Sequence, residues 1–314
     1  MTASKLLRHE TILALLTILA LIVLAFLSDK FFTAENLLNQ GRLMSEVGLV
    51  ALAMTFVIVT GGIDLSVGSI LGLTAILFGV FWQNVGMALP VAMVAAIACG
   101  TLAGFGNGFI ITRFNVPPLI ATLATLALYR GLAEGISQAR SVRGYPEWFF
   151  FFGQGEVLGV PFQLWILGVA TLIAAIILGM TPFGRATYAI GANETAARFS
   201  GIRVNATKLW IYTAAGFLAS LAAIVFVSRV TTTRSDMGTG LELDVITGVV
   251  LGGTSIFGGR GTIIGTALGL ILIQALKNGL ALSGVKGDGT IVVIGVVLIG
   301  AILAGAIFDK NRGG

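Results

Sequence analysis

The sequence predicts an all-α, polytopic membrane helix bundle, on three observations. Of its 314 residues 56% are hydrophobic and 11% charged, whereas a water-soluble domain carries about 25% charged residues. The apolar residues gather in runs that approach the roughly 20 needed to cross a bilayer. The stretches between the runs are too short to hold a soluble domain, so 1–314 reads as a single transmembrane domain.

The first run, 11–27, follows Lys5 and Arg8. It is longer than the roughly 7–15 residues of a signal core, and Ser28-Asp29-Lys30 lacks a small-x-small cleavage pattern, so it reads as a first span. Further spans are expected at 44–61, 65–81, 88–111, 117–136, 163–180, 207–228, 242–257, 262–281 and 290–308, about ten in all. The segments near Gly62 and Gly253 read as broken or re-entrant.

Between the second and third spans, Gly61-Gly62-Ile63-Asp64-Leu65-Ser66-Val67-Gly68 reads as a helix end followed by a fresh start. Asp64 suits a cap for the new helix. As a carboxylate at a membrane segment it is also a candidate for the translocation path. Val59 to Asp64 resembles Val250 to Ser255, each with paired glycines before a break, which suggests an internal repeat of the kind transporters use. Gly100, Gly104 and Gly108, and again Gly261, Gly265 and Gly269, form small-residue faces suited to close helix packing. Asn107, beside the first face, either hydrogen-bonds across helices or meets a solute.

The charges set an orientation. With 19 Lys and Arg against 14 Asp and Glu the net charge is +5, but the basic residues are scattered over loops rather than gathered on one stripe, which argues against a nucleic-acid partner. Placing both termini in the cytoplasm puts Arg185, Arg198, Arg203 and Lys208 on the same side, in accord with the positive-inside rule. Arg140, Arg143, Arg229, Arg234 and Lys286 then lie outside, near Glu147, Glu156, Asp236 and Asp288.

That basic loop, 181–206, reads as a short separate helix. Asn193 is its N-cap, Glu194 suits the positive end of its dipole, Ala196 and Ala197 favour helix, and Gly201 stops it. Such a helix can dock in a groove of another protein through Ala197 and Phe199, or lie on lipid with its arginines near anionic head groups.

Three motifs together resemble the permease subunits of carbohydrate importers of the ATP-binding-cassette type, the ribose-transporter group, from about Glu46 to Ile307. They are the Gly61–Gly68 segment, the loop Gly184-Arg185 to Gly191-Ala192-Asn193-Glu194-x-x-Ala197-x-x-Ser200-Gly201-Ile202, and Leu251-Gly252-Gly253-Thr254-Ser255-Ile256-Phe257-Gly258-Gly259. The resemblance implies that the loop is a coupling helix resting on an ATPase subunit, through Gly191, Asn193, Glu194, Ala197, Arg198, Phe199 and Gly201. It implies a bacterial inner-membrane location, a second permease, identical or related, and an extracytoplasmic solute-binding protein. Arg234-Ser235-Asp236-Met237-Gly238 resembles the branch with autoinducer-2 permeases, and rhamnose permeases are similarly close. Arg234 and Asp236 would then lie where a binding protein docks, or form a solvated turn.

Some chemistries are excluded or unsupported. There is no Gly-x-x-x-x-Gly-Lys-Ser/Thr phosphate loop, so energy must come from a partner or a gradient; the resemblance implies that a separate chain hydrolyses ATP. His9 is the one histidine and Cys99 the one cysteine, which leaves no intramembrane Ser–His pair, no zinc motif, no cofactor signature and no intrachain disulfide. The alternative is an ion-coupled secondary transporter, which needs ionisable residues within the spans.

Overall fold

The computed structural model of the chain describes residues 3–285 and, beyond them, positions 287, 289, 290, 292, 293, 295, 296 and 299. It is an all-α bundle. In chain order the helices are α1 (Ala3–Leu27), α2 (Ala34–Val59), α3 (Val67–Gly79, running on into a π turn at Val80–Asn84), α4 (Leu89–Arg113), α5 (Pro118–Ser137) and α6 (Glu147–Gln154). A two-stranded hairpin, β1 (Glu156–Val157) and β2 (Val160–Pro161), leads into α7 (Phe162–Met180). Then follow α8 (Pro182–Ala192), α9 (Glu194–Phe199), α10 (Val204–Val230), α11 (Leu241–Leu251) and α12 (Ile263–Leu282).

Among the described residues seven helices are long and apolar enough to cross a membrane, by length and composition: α2, α3 with its π turn, α4, α5, α7, α10 and α12. In α1 the apolar stretch is Leu13–Phe26. The expected span 290–308 lies, apart from scattered positions, outside the described residues. The expected span 242–257 is corrected. It is the 11-residue α11, about 16 Å long, roughly half of a 30 Å hydrocarbon core.

What precedes α11 explains its shortness. Residues 231–240 form no long helix and turn inward beside α3. Arg143 and Thr232 form an isolated bridge, and Thr233 donates its backbone N–H to Val142 at 3.0 Å. A Cβ placed on Gly79 would touch the Thr233 hydroxyl, one on Gly72 the Met237 carbonyl, and one on Gly68 the Gly238 carbonyl. The segment therefore descends along α3 from Gly79 to Gly68, about 16 Å of helix, before α11 starts within the bundle. Non-helical backbone at that depth is tolerated only where protein covers its polar groups.

Two buried helices hold the centre. In α10 the run from Ala215 to Ser228 packs against α4, α2 and α3, and α2 is buried along most of Ser45–Val59. The α4 glycine face does pack: a Cβ on Gly104 would lie 2.7 Å from the Cα of Gly216, and Gly100 abuts Ser220. The second face packs likewise through Gly265 and Gly269, which meet the carbonyls of Gly252 and Gly248, but Gly261 precedes the start of α12 and lies against Thr254, so it is not part of that face.

The suspected repeat appears as a shared helix ending. At the end of α2, Gly61 N–H donates to the Ile58 carbonyl (2.8 Å) and Gly62 N–H to that of Val57 (3.0 Å). At the end of α11, Gly253 N–H donates to Val250 (2.9 Å) and Thr254 N–H to Val249 (3.2 Å). Gly61 and Gly253 both have left-handed φ, +78° and +89°, the Schellman geometry that favours glycine after a helix cap. Structurally Gly61 thus matches Gly253, one residue away from the pairing of Gly62 with Gly253 in the sequence comparison.

Candidate functional site

The loop predicted to couple is built largely as its sequence suggests. Thr181 caps α8 by accepting from Gly184 N–H at 3.2 Å. Asn193 breaks the helix with an extended backbone and caps α9, its Oδ1 accepting from Ala196 N–H at 2.9 Å. Gly201, at φ +83°, ends α9 with the same turn as Gly61, Ile202 N–H reaching the Ala197 carbonyl at 3.1 Å.

Side-chain directions correct part of the expectation. Ala197, expected to be presented outward, is 4% exposed and packs with Ile190 and Val204, so it fastens α9 to its own chain. Phe199 is 89% exposed. Glu194 pairs with Arg198 (3.1 Å) and with Lys208 of α10 (2.6 Å). Burial works against the Glu194 charge, but the hydrogen bonds and positive charge of Lys208 and Arg198 outweigh it and hold the carboxyl below its ordinary range. Arg198 also donates to Asn205 at 3.1 Å. Glu194 therefore positions α9.

The three motifs, far apart in sequence, converge here. A Cβ on Gly191 would collide with the Val59 carbonyl and the Gly259 nitrogen. Gly259 N–H donates to the Val59 carbonyl at 2.8 Å. A Cβ on Gly258 would lie 2.8 Å from the Gly191 oxygen and 2.9 Å from the Gly61 nitrogen. Tyr188 of α8 adds a hydroxyl bond to the Gly261 carbonyl, 2.6 Å. Three backbones meet with no side chain between them, so α8, the end of α2 and the loop after α11 are held together. Phe257, at the tip of that loop, is 79% exposed. With Phe199 it gives this end of the molecule two outward aromatic side chains.

Asp64 and Asn107, the two candidates for a path, are fully buried and do not line the cavity described below. Asp64 Oδ1 accepts from the backbone N–H (2.9 Å) and the hydroxyl (2.6 Å) of Ser66. It thus braces the residue before α3 instead of capping the helix itself, because Ser66 occupies the cap position. Asn107 donates to the Ser66 hydroxyl at 2.7 Å and accepts from Tyr129 at 3.3 Å. Thr122 completes the site by accepting Leu65 N–H (3.2 Å) and donating to the Ile63 carbonyl (3.1 Å). The chain Asp64–Ser66–Asn107–Tyr129 ties the helix break to α4 and α5.

At the opposite end, Arg234 and Asp236 form an exposed ion pair. They lie at a cavity of about 410 Å³, also lined by Glu46, Phe226, Thr239 and Asp244. Two cations stand behind this wall: Arg229 grips Glu46 with two hydrogen bonds of 2.7 and 3.0 Å, and Lys277 meets Asp244 at 2.6 Å. The descending segment is held from α5 by Arg130, which donates to the carbonyls of Ser235 (2.5 Å), Met237 (2.9 Å) and Gly68 (3.3 Å).

Arg130, Glu46, Lys277 and Phe257 belong to no predicted site. The signal for the first three was available, since each is an ionisable residue within an apolar run, a feature that marks function or structure by default. Phe257 was visible only as a letter inside a glycine motif.

Comparison with known proteins fits this architecture. The family described as branched-chain amino acid transport system / permease component matches residues 34–302. The ribose import permease of Escherichia coli K12 is 42% identical over 302 residues, covering 94% of this chain and 92% of that protein. That of Bacillus subtilis 168 is 42% identical over 279 residues, 88% and 86% of the two chains. The autoinducer 2 import system permease LsrD of Escherichia coli O9:H4 is 35% identical over 300 residues, 92% and 91%. No solved structure matches. With seven apolar helices among the described residues and a match along nearly its whole length, the chain is a multi-pass membrane protein that belongs to this transport permease family, alongside the ribose and autoinducer 2 import permeases.

Proposed function

We propose that this chain is the membrane subunit of an ATP-binding-cassette importer for a monosaccharide or similar small polyhydroxy solute, of the ribose, rhamnose or autoinducer-2 kind. The observation that carries this is the α8–α9 surface, where Phe199 and Phe257 point outward from a backbone junction that reaches both α2 and α11. Exposed aromatics on a rigid base suit a protein partner better than a lipid surface would require. The names of the ribose and autoinducer 2 relatives supply the solute class.

In this reading the α8–α9 end faces the cytoplasm of a bacterium, both termini lie on that side of the inner membrane, and an ATPase chain rests on α9. ATP binding draws the ATPase subunits together and moves α9. The junction at Gly191 passes the movement to α2 and α11, and the bundle alternates between outward and inward openings, which requires each state to be favoured by different contacts. A second permease, identical or related, completes the pore, and a solute-binding protein docks at the Arg234–Asp236 end.

The test is to co-express the full chain with its neighbouring subunits and identify what co-purifies in mild detergent. An ATPase with a phosphate loop is expected. Phe199→Ala removes a side chain with almost no contact in its own chain, so melting should not change while solute-stimulated ATP hydrolysis falls about tenfold, as for an aromatic anchor. Stable isolation without an ATPase, together with ion-driven uptake in liposomes, would overturn the proposal.

A further inference from the structure

We propose that the 410 Å³ cavity beside Arg234 and Asp236 is the site that receives the transported solute, and that its chemistry selects uncharged polyhydroxy molecules; this rests on the importer reading above. The volume lies within the range of small-molecule sites, about 300–1,000 Å³.

Charge is the first argument. Glu46 and Asp244 line the cavity, and each is paired with a cation that does not line it, Arg229 and Lys277. At the mouth Arg234 and Asp236 neutralise each other. The wall thus has no net charge to attract an anion or a cation, yet it holds several strong acceptors. Hydroxyl groups are the donors that suit a carboxylate whose charge is already balanced. Phe226, backed by the Arg229 guanidinium 4.9 Å from its ring centre, offers an apolar face for the C–H side of a sugar ring.

Connection to the moving parts is the second argument. Met237, Gly238, Thr239 and Leu241 line the cavity and lead directly into α11. The other end of α11 runs into the loop whose Gly258 and Gly259 are locked to Gly191. A helix of about 16 Å and the loop that follows it therefore join the cavity wall to the α8–α9 surface.

Two measurements test this. In liposomes holding the complete importer, Asp244→Asn and Thr239→Val should each lower the ribose moved per ATP hydrolysed. About tenfold is expected for Asp244→Asn, which replaces a charge-assisted hydrogen bond by a neutral one. In a Cys99→Ala background, millimolar ribose should slow labelling of Thr239→Cys by a charged, water-soluble thiol reagent, and leave labelling of Leu158→Cys, on the hairpin outside the cavity, unchanged. If the wild-type assembly hydrolyses no ATP and moves no ribose, the importer reading itself fails. If the wild type transports and both substitutions move ribose at wild-type yield, the cavity assignment is overturned. It is also overturned if leucine, a zwitterion, protects Thr239→Cys while ribose does not.

Discussion

The two ends of the molecule are built on opposite principles. At the α8–α9 end, backbones touch through Gly191, Gly258 and Gly259, and the exposed surface includes a pair of phenylalanines. At the other end the backbone stands apart around a cavity, and side chains from α2, α10, α11 and α12 hold it open with ion pairs. A backbone contact transmits displacement because it has no rotamers to absorb it, and packed interiors deform little. A lined cavity does the reverse, since its side chains can exchange partners. The contrast suits a device in which one end is pushed and the other binds.

The largest effect should come from breaking the rigid end. Gly191→Val places a branched side chain against the Val59 carbonyl and the Gly259 nitrogen. Neither atom can move without shifting a helix end, so the cost is that of overpacking at its upper range, about 3 kcal/mol or more. Melting of the purified variant should fall by several degrees, and any folded fraction should have lost stimulation of ATP hydrolysis. Unchanged melting would mean that the junction is looser than its geometry.

Arg130→Met comes next and acts on the cavity end. It leaves the Ser235 and Met237 carbonyls without their donor, at about 1–3 kcal/mol for each buried acceptor. Because Arg130 fastens only this segment and the start of α3, the expected result is local. Hydrogen exchange over 233–240 should rise at least tenfold while that over α8 and α9 stays as it was. Equal loosening at both ends would show that they are not mechanically separate.

How legible each end was in the sequence follows the same division. Backbone contacts need glycine, and glycine at a fixed place leaves contiguous strings, so Gly61–Gly68, Gly184–Ile202 and Leu251–Gly259 announced themselves. The α9 helix was readable residue by residue from Asn193 to Gly201, except that a six-residue helix gives too little periodicity to say that Ala197 faces inward. The cavity has no string. Glu46 and Arg229 are 183 residues apart, and Asp244 and Lys277 are 33 apart, so only the fold assembles them. The span at 242–257 misled because an apolar run does not reveal whether its first half-turn begins at the membrane surface or inside it. Asp64 was legible as a helix-break residue, while its partners Asn107 and Tyr129 lie on helices brought there by packing.

The smallest expected effect tests whether charge matters at the rigid end at all. Glu194 pairs with Arg198 and Lys208, but the Glu194 and Arg198 side chains are 43% and 51% exposed, and such pairs contribute roughly 0–1 kcal/mol. Glu194→Gln should therefore lower melting only slightly, whereas Glu194→Lys, which sets a third cation beside two others, should unseat α9. The pH dependence has a fixed sign. The Glu194 carboxyl in the folded chain titrates below its ordinary value of 4.5, so its contribution is fully present above that pH and is lost as pH falls through the lower folded value. The difference in melting temperature between wild type and Glu194→Gln should thus be constant from neutral pH down to about 4.5 and shrink only below it. A difference that already shrinks near pH 6 would mean that burial outweighs the two cations at Glu194, and that its ion pairs do not hold α9.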